Sequence, residues 1–257
     1  MKAHKRPSIA IVTSVLNARS GLIHTANSIR SQTAEGFQWI IIDGGSSDHS
    51  QDVFSQYSDV VTDWISEPDK GIYDAWNKAI NLIRSEWTIF LGAGDVFATA
   101  DTLERAQNAL MDIDDRMALV YGNVVQINPA TGTEMYRYGK VDVSKWEIYR
   151  PKLPAHQGVF QRTRLLLEFK FDTNYRVISD SKFMLLASRA GMLHYLDFDI
   201  CHMEPGGISS NPRHAKLVMK EFLRLEKECG YRIPPLLRIT YIAKSFIKEF
   251  LSRAIRR

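Results

Sequence analysis

Acidic residues beside glycine follow three of the first four predicted strands of this 257-residue chain. The motifs are Asp43–Asp48, Glu67–Gly71 and Gly92–Asp95, and the first strand runs into Ser14–Asn17. Glycine permits tight turns and close approach of the backbone to a ligand. Carboxylates accept hydrogen bonds from a base or a ribose, but a row of them repels a diphosphate unless a divalent cation lies between. The pattern therefore predicts a site for a metal-bound nucleotide.

Other nucleotide and metal sites have signatures that this sequence lacks. The segment Ser14–Arg19 stands where a dinucleotide-binding fold needs G-x-G-x-x-G, which disfavours NAD, and no Walker A sequence is found. The two cysteines, Cys201 and Cys229, form no CxxC pair. A disulfide scaffold and a cysteine zinc site are therefore excluded, and the cysteine usage fits a reducing cytosol.

Short apolar strands alternate with amphipathic helices through the first half of the chain. The pattern predicts strands at 8–13, 37–42, 60–65 and 87–91 and helices at 21–32, 50–57, 72–84 and 102–111. In the second half it predicts strands at 117–127, 133–138, 158–161 and 192–200 and helices at 180–189 and 212–228. Such alternation indicates an α/β fold with a mostly parallel sheet flanked by helices. Ligands of these sheets bind outside the carboxyl ends of the strands, where the acidic motifs stand.

The C-terminal segment 233–257 is predicted to be a basic amphipathic helix. Residues 234–257 hold six basic residues and one acid, and the whole chain carries +4, so the remainder sums to −1. A nearly neutral body argues against nucleic-acid binding. The helix either lies on an anionic membrane surface or packs on the body or on a second subunit. No run of about 18 apolar residues is present, so no segment is predicted to span a bilayer.

Three motifs, in this order, resemble family 2 glycosyltransferases, which are inverting, nucleotide-sugar-dependent enzymes with the GT-A fold. The motifs are WIIIDGGSSD at Trp39–Asp48, ISEPDKGIYDAWNK at Ile65–Lys78 and FLGAGD at Phe90–Asp95. The resemblance is dense from about Ser8 to Phe97 and strongest to non-processive members that build bacterial surface polysaccharides. It implies one catalytic domain over 1–232, with a nucleotide-binding half at 1–97 and an acceptor-binding half at 98–232.

The resemblance implies a donor-binding role for five residues of the nucleotide-binding half. Thr13 and Asn17 line the nucleotide end of the first strand, Asp43 binds a uracil-like base, Asp69 binds base or ribose, and Lys70 lies near the diphosphate. It also makes Asp74 and Asn77 organisers of the donor loop. The alternative for Asp74 is a surface ion pair with Lys78, which follows it at i+4.

The metal site implied by the resemblance is a divalent cation, Mn²⁺ or Mg²⁺, at Asp95. This residue matches the last aspartate of the DxD motif, but a glycine replaces the first acid here, which leaves metal affinity and identity open. His202 is a candidate additional ligand or diphosphate contact. Its alternative is a packed or surface histidine.

The catalytic base is predicted at the start of a helix in the second half. An inverting transfer needs a base to take the proton of the acceptor hydroxyl, and a carboxylate is the usual base in the family. Asp180 matches that position. The alternative is that Asp180 is a helix N-cap, and the second candidate base is Asp172.

Further landmarks of the resemblance lie around the predicted acceptor side. His156 and Gln157 match a motif beside the acceptor and donor sugar, with a structural histidine as the alternative. Gly206–Ser209 resembles a loop that closes over the donor, or it is a plain turn. Trp146 and Tyr149 could stack on sugar rings or pack in the core.

The sequence thus predicts a cytoplasmic, metal-dependent, inverting glycosyltransferase of the hexosyl or N-acetylhexosaminyl type. It would move one sugar from a UDP-sugar to a hydroxyl of a glycan or lipid-linked acceptor in surface polysaccharide biosynthesis. The Q-x-x-R-W motif of processive synthases is absent, which favours single addition. Segment 234–257 would contact the inner face of the cell membrane. The alternative function is a non-catalytic nucleotide- or glycan-binding scaffold on the same fold.

Overall fold

A nine-stranded sheet with helices on both faces forms the body of the computed structural model, which describes residues 8–147, 150–207, 211–240 and 243. The strands are β1 (Ile9–Val15), β2 (Gln38–Asp43), β3 (Asp63–Ser66), β4 (Trp87–Phe90), β5 (Val96–Phe97), β6 (Met117–Ile127), β7 (Glu134–Tyr138), β8 (Trp146–Glu147), β9 (Arg150–Pro151), β10 (Val159–Arg162) and β11 (Met192–Met203). The helices are α1 (Arg19–Arg30), α2 (Asp52–Gln56), α3 (Ile72–Ile80), α4 (Thr102–Met111), α5 (Thr163–Phe169), α6 (Ser179–Ala190) and α7 (Ala215–Cys229).

The sheet has the strand order β3-β2-β1-β4-β10-β6-β11-β5, with β7 beside β6. The four strands from β3 to β4 are all parallel, as the α/β alternation predicts. The second half is mixed, because β10 runs antiparallel to both β4 and β6 while β6 and β11 are parallel. The carboxyl ends of β1 to β4 therefore share one edge, and the second half of the chain is joined to that edge through β10.

Each face of the sheet has its own hydrophobic core. Along β2, Trp39 and Ile41 pack on one face and Ile40 and Ile42 on the other, because side chains alternate along a strand. The first face is covered by α1, α2 and α4, and the second by α3, α5, α6 and α7. Burial on both faces explains why these strands are continuous apolar runs.

Helix α5 and the two-residue strands β5, β8 and β9 were not predicted from the sequence pattern. Helix α5 contains three consecutive leucines, Leu165–Leu167, which show neither a helical nor a strand period. Strand β5 is only two residues long. The helix predicted over 72–84 ends at Ile80, and α7 begins at Ala215 after a 3₁₀ turn at Pro212–His214.

The first part of the predicted C-terminal helix is present as a helical segment at 235–240. Leu237 packs against the core, whereas Leu236 and Ile239 are 75% and 66% exposed. Residues 241–242 and 244–257 of that prediction lie outside the described residues. In the described part of the chain, no helix has both the length and the apolar character needed to cross a membrane.

Candidate active site

Hydrogen bonds between loops join the carboxyl ends of β1 and β2. The Asn17 N–H donates to Ser46 Oγ at 2.8 Å, and Asn17 Oδ1 accepts from the Ser47 N–H at 2.8 Å. Asn17 has a φ of 50°, a left-handed conformation that asparagine tolerates. Thr13 is fully buried, and its Oγ1 accepts from Trp39 Nε1 at 3.1 Å. Asn17 thus lies at the predicted edge and joins the two loops, whereas Thr13 is buried within β1 and contacts the first part of β2.

Asp43 is fully buried beneath this edge, and its carboxylate is occupied by the chain itself. It accepts hydrogen bonds from the Ser46 N–H at 3.0 Å, from Gln51 Nε2 at 2.9 Å and from Ser66 Oγ at 2.6 Å. These bonds tie the loop after β2 to the end of β3. Asp43 therefore stabilises the loops at the carboxyl ends of β2 and β3. Its direct contact with the base of a nucleotide remains a prediction.

Asp69 and Lys70 are the more accessible members of the predicted donor set. Asp69 Oδ1 accepts from the Gly71 N–H at 2.8 Å. Its Oδ2 lies against Gly44, where an added Cβ would come within 2.5 Å of that oxygen, so glycine makes room for the carboxylate. Lys70 is exposed, and its backbone N–H donates to Asp74 Oδ2 at 3.0 Å.

Helix α3 anchors the loop that carries Asp69 and Lys70. Lys78 Nζ lies 2.9 Å from a carboxylate oxygen of Glu67 and donates to the Pro68 carbonyl at 3.0 Å. Asn77 binds the backbone of Phe171 in both directions, at 2.7 and 2.9 Å. Lys78 thus holds the donor loop, whereas Asn77 fixes the segment after α5. Lys78 also lies 3.8 Å from Asp74, as in the alternative ion pair, and the organising roles of Asp74 and Asn77 remain predictions.

A cleft of about 420 Å³, called here the central cleft, opens between the end of β4 and the start of α6. Its polar and charged lining residues are Asp95, Gln126, Tyr138, Arg150, His156, Gln157, Arg176 and Asp180. The structure thus brings together four residues that the sequence proposed from separate motifs: Asp95, His156, Gln157 and Asp180. Tyr73, Trp76 and Phe90 form much of the aromatic wall.

The turn that carries Asp95 is held from two sides. Asp95 Oδ2 accepts from the Gly92 N–H at 2.8 Å, and burial raises the pKa of Asp95 to about 6. Thr25 on α1 is fully buried, donates to the Asp95 carbonyl at 2.8 Å and accepts from the Gly94 N–H at 2.9 Å. Sequence reasoning missed Thr25, because on a helical face it looks like one more buried position.

The single carboxylate fits a cation that takes its other ligands from a substrate diphosphate. Among the described residues, no three His, Cys, Asp or Glu side chains form a metal-binding group. His202 pairs with Val96 across β11 and β5, whereas its neighbour Met203 lines the central cleft. His202 itself is not among the described residues that line the cleft, and its ligand role remains a prediction.

Asp180 lies in the first turn of α6, and its side chain faces Tyr73. Tyr73 Oη donates to Asp180 Oδ1 at 3.2 Å. The N-cap of α6 is Ile178, and no side chain caps the helix, so the alternative of Asp180 as N-cap is wrong. Asp172, the second candidate base, is not among the residues that line the central cleft. It instead forms an ion pair with Lys182 Nζ at 2.7 Å, which helps to hold its pKa below the ordinary value.

Glu221 on α7 fixes the segment that leads into Asp180. Its buried carboxylate accepts the backbone N–H groups of Arg176, Val177 and Ile178 at 2.7, 3.0 and 3.2 Å. The donors stand more than forty residues earlier in the chain, at separations of 43 to 45, so no local motif reveals the contact.

His156 forms a buried wall of the central cleft. Its ring stacks on Trp76 and Phe90 with centroid distances of 4.9 and 5.3 Å, and its Nε2 lies 2.7 Å from Gln161 Nε2. Burial lowers the pKa of His156, so the ring is neutral near pH 7. Neighbouring Gln157 lines the same cleft.

The remaining predicted acceptor residues divide between the cleft and its surroundings. Gly207 lines the central cleft, while residues 208–209 of the predicted loop lie outside the described residues. Trp146 packs beside Tyr231 with ring centroids 5.8 Å apart and does not line the cleft. Tyr149 lies outside the described residues.

Comparison with known proteins adds a family and a fold. The family model described as glycosyl transferase family 2 matches residues 10–178. A PGL/p-HBAD biosynthesis glycosyltransferase of Mycobacterium bovis is 28% identical over 225 residues, which are 85% of this chain and 83% of the relative.

Two solved structures resemble this chain over almost its whole length. The mannosyltransferase PcManGT from Pyrobaculum calidifontis, in complex with GDP-Man and Mn²⁺, has a TM-score of 0.67 at 15% identity and covers 94% of this chain and 70% of its own. S. aureus TarS 1–349 in complex with UDP has a TM-score of 0.62 at 15% identity and covers 95% and 72%. At such identities the likeness establishes the fold alone.

Proposed function

The chain belongs to glycosyl transferase family 2 and has the GT-A fold, and from this premise we propose that it transfers a single sugar, with inversion, from a nucleotide diphosphate sugar to an acceptor hydroxyl. One observation carries the proposal. Asp95 and Asp180, which come from opposite halves of the chain, line the same cleft at the carboxyl end of the sheet. This arrangement supports a leaving-group site at Asp95 and a base at Asp180 within one cleft.

The proposed donor is a UDP-sugar of the hexosyl or N-acetylhexosaminyl type. The nucleoside would lie over the ends of β1 to β3, where Asp69 and Lys70 are accessible and Asp43 braces the loops. Among the structural neighbours, TarS is solved with UDP and PcManGT with GDP-Man. The first question for experiment is therefore whether the donor nucleotide contains uracil or guanine.

The proposed cofactor is Mn²⁺ or Mg²⁺ at Asp95. A bound divalent cation would offset the charge that develops on the leaving diphosphate. The chain itself orients Asp95 toward the cleft, because the Gly92 N–H binds its carboxylate and the Thr25 hydroxyl binds its backbone carbonyl. One protein carboxylate leaves the remaining coordination to the substrate.

The proposed base is Asp180. Its carboxylate accepts the proton of the acceptor hydroxyl while that oxygen forms a bond to the anomeric carbon and the bond from this carbon to the diphosphate breaks. Asp95 and Asp180 are the only carboxylates among the described residues that line the cleft. With Asp95 assigned to the cation, no second carboxylate is left for a covalent sugar intermediate, which supports inversion in a single displacement.

The proposed acceptor is a glycan or lipid-linked glycan of surface polysaccharide biosynthesis, used at the inner face of the cell membrane. The exposed Leu236 and Ile239 and the basic composition of 234–257 support contact with that surface. A bilayer contact would bring the cleft to a membrane-bound acceptor without a spanning helix.

Calorimetric titration of UDP and GDP, each with and without Mn²⁺, tests the donor site. We expect UDP to bind only with Mn²⁺ and Asp95→Ala to lose this binding, while the exposed control Asp52→Ala keeps it. Tighter binding of GDP would redirect the donor to GDP-sugars. Absence of any metal-linked nucleotide binding would refute the enzyme proposal and favour the scaffold alternative.

Hydrolysis of donor candidates in the same protein tests the base. Asp180→Asn is expected to keep the affinity for UDP within about twofold and to lower turnover by at least about a hundredfold, since the contribution of a general base is of that order. Normal turnover in this variant would remove Asp180 from the base role.

A further inference from the structure

Arg150 is a partly buried cation in the central cleft that the proposed transfer does not use. Only 15% of its side chain is exposed, and its Nη1 lies 3.3 Å from Glu147 Oε2 and donates to the Pro151 carbonyl at 3.0 Å. Burial lowers the pKa of Arg150, while the charges of Glu147 and Asp180 oppose this shift. A desolvated guanidinium with one ion-pair partner at the cleft wall has donor capacity left for a ligand.

A second guanidinium lines the cleft from the opposite element. Arg176 belongs to the segment that Glu221 fixes just before α6, and its side chain is exposed. Within the described ranges, the Arg176 side chain forms no ion pair. Arg150 and Arg176 are the only cationic side chains among the described residues that line the central cleft.

We propose that Arg150, with Arg176, binds an anionic group, a phosphate or a carboxylate, carried by the acceptor beside its reacting hydroxyl. The inference rests on the proposed function, because it takes Asp180 as the base that marks the acceptor side. A guanidinium suits this task, since its planar donors match the oxygens of phosphate and carboxylate in pairs.

The position of Arg150 favours the acceptor over the donor diphosphate. The proposed function assigns the diphosphate to Asp95 and Gly92, at the end of β4. Arg176 also lines a smaller pocket beside Lys70, whereas Arg150 and Asp180 line the central cleft together and the charge of Asp180 acts on Arg150. An anion held there lies next to the base, which is where the acceptor hydroxyl must lie.

Three probes that share one sugar test the charge preference by calorimetry: glucose 1-phosphate, glucuronate and uncharged methyl glucoside. Each is titrated into the protein alone and into the protein with UDP and Mn²⁺. At least one charged probe should bind about tenfold more tightly than methyl glucoside, as expected for a charge-assisted pair. The stronger of the two identifies phosphate or carboxylate as the group. An equal affinity for all three probes would overturn the proposal.

Variants locate the preference in the two arginines. Arg150→Gln should abolish it, and Arg176→Gln should weaken it without a change in melting temperature, since that side chain is exposed. Arg84→Gln, an exposed arginine paired with Asp63 outside the cleft, is the matched control and should keep it. Persistence of the preference in both Arg150→Gln and Arg176→Gln would refute the assignment.

The affinity for UDP separates this inference from the donor assignment. Arg150→Gln should leave UDP binding within about twofold, whereas a tenfold loss would place the guanidinium on the donor diphosphate and overturn the acceptor role. Because the probes are also titrated without UDP, the charge preference is measured even in a protein that binds no nucleotide. Failure of the anion site and failure of the proposed function are therefore distinct results.

Discussion

Tyr73 donates a hydrogen bond from Oη to Oδ1 of Asp180 across 3.2 Å and thereby joins α3, in the first half of the chain, to α6, in the second half. Burial and the charge of Asp180 hold the pKa of Tyr73 well above its ordinary value, so the phenol remains a donor at all physiological pH values. A donor fixed on one oxygen orients the carboxylate and, in the proposed transfer, leaves the other oxygen for the acceptor hydroxyl.

Replacement of Tyr73 by phenylalanine should impair catalysis without impairing donor binding. We expect kcat to fall about tenfold with an unchanged KM for the donor, because the base loses one oriented hydrogen bond. Tyr57→Phe, which removes a hydrogen bond to Asn27 outside the cleft, should change neither quantity. An unchanged kcat in Tyr73→Phe would contradict the positioning role.

Asp43 and Asp69 should respond differently to the same conservative change. Asp43→Asn places an amide donor against donors from Ser46, Gln51 and Ser66, and we expect a loss of about 2–3 kcal/mol in unfolding free energy by urea denaturation. Asp69→Asn should change the unfolding free energy by no more than about 0.5 kcal/mol and lower the affinity for UDP about tenfold. A stable Asp43→Asn variant with altered base preference would instead support direct base contact by Asp43.

The parallel half of the sheet, and the element boundaries at which Asp95 and Asp180 stand, could be predicted from the sequence, because their causes are local. Strand β2 is a continuous apolar run that ends in an acid and two glycines, and this pattern needs no distant partner. Asp95 and Asp180 each stand at a recognisable boundary, one after a strand and one at the start of a helix. The structure adds that both face one cleft.

The residues that the sequence did not reveal act through contacts between distant segments. Thr25 reaches the Asp95 turn from 70 residues away, and Tyr73 reaches Asp180 from 107 residues away. Arg150 is notable because its side chain is only 15% exposed, and this burial cannot be predicted from a strand of two residues such as β9. The spacing of apolar residues predicts which face of a helix or strand is buried. It does not predict which polar side chain of a distant segment will form a hydrogen bond there.

Asp95→Asn should stabilise the metal-free protein at neutral pH and not at acid pH. The folded-state pKa of Asp95 is about 6, above the ordinary value of 3.8, so folding favours the protonated form. The wild type therefore loses stability as the pH rises from about 4 to above 6, whereas asparagine does not titrate. With EDTA present, the difference in Tm between variant and wild type should widen by about 3 °C between pH 4.5 and pH 8. A difference that is constant with pH would show that burial does not penalise this carboxylate.

The exposed apolar side chains of the segment 235–240 should mediate attachment to anionic lipid. Leu236 and Ile239 are 75% and 66% exposed. Exposure of these side chains to water does not stabilise the helix, whereas their burial in a bilayer interface would favour membrane binding. We expect Leu236→Glu with Ile239→Glu to lower binding to phosphatidylglycerol-containing vesicles about tenfold in sedimentation, since apolar burial is lost and negative charge is added. Leu167→Glu on α5, which replaces a 54% exposed leucine, is the matched control and should bind as the wild type does. Unchanged vesicle binding together with a shift from dimer to monomer would instead assign these side chains to a contact between two copies of the chain.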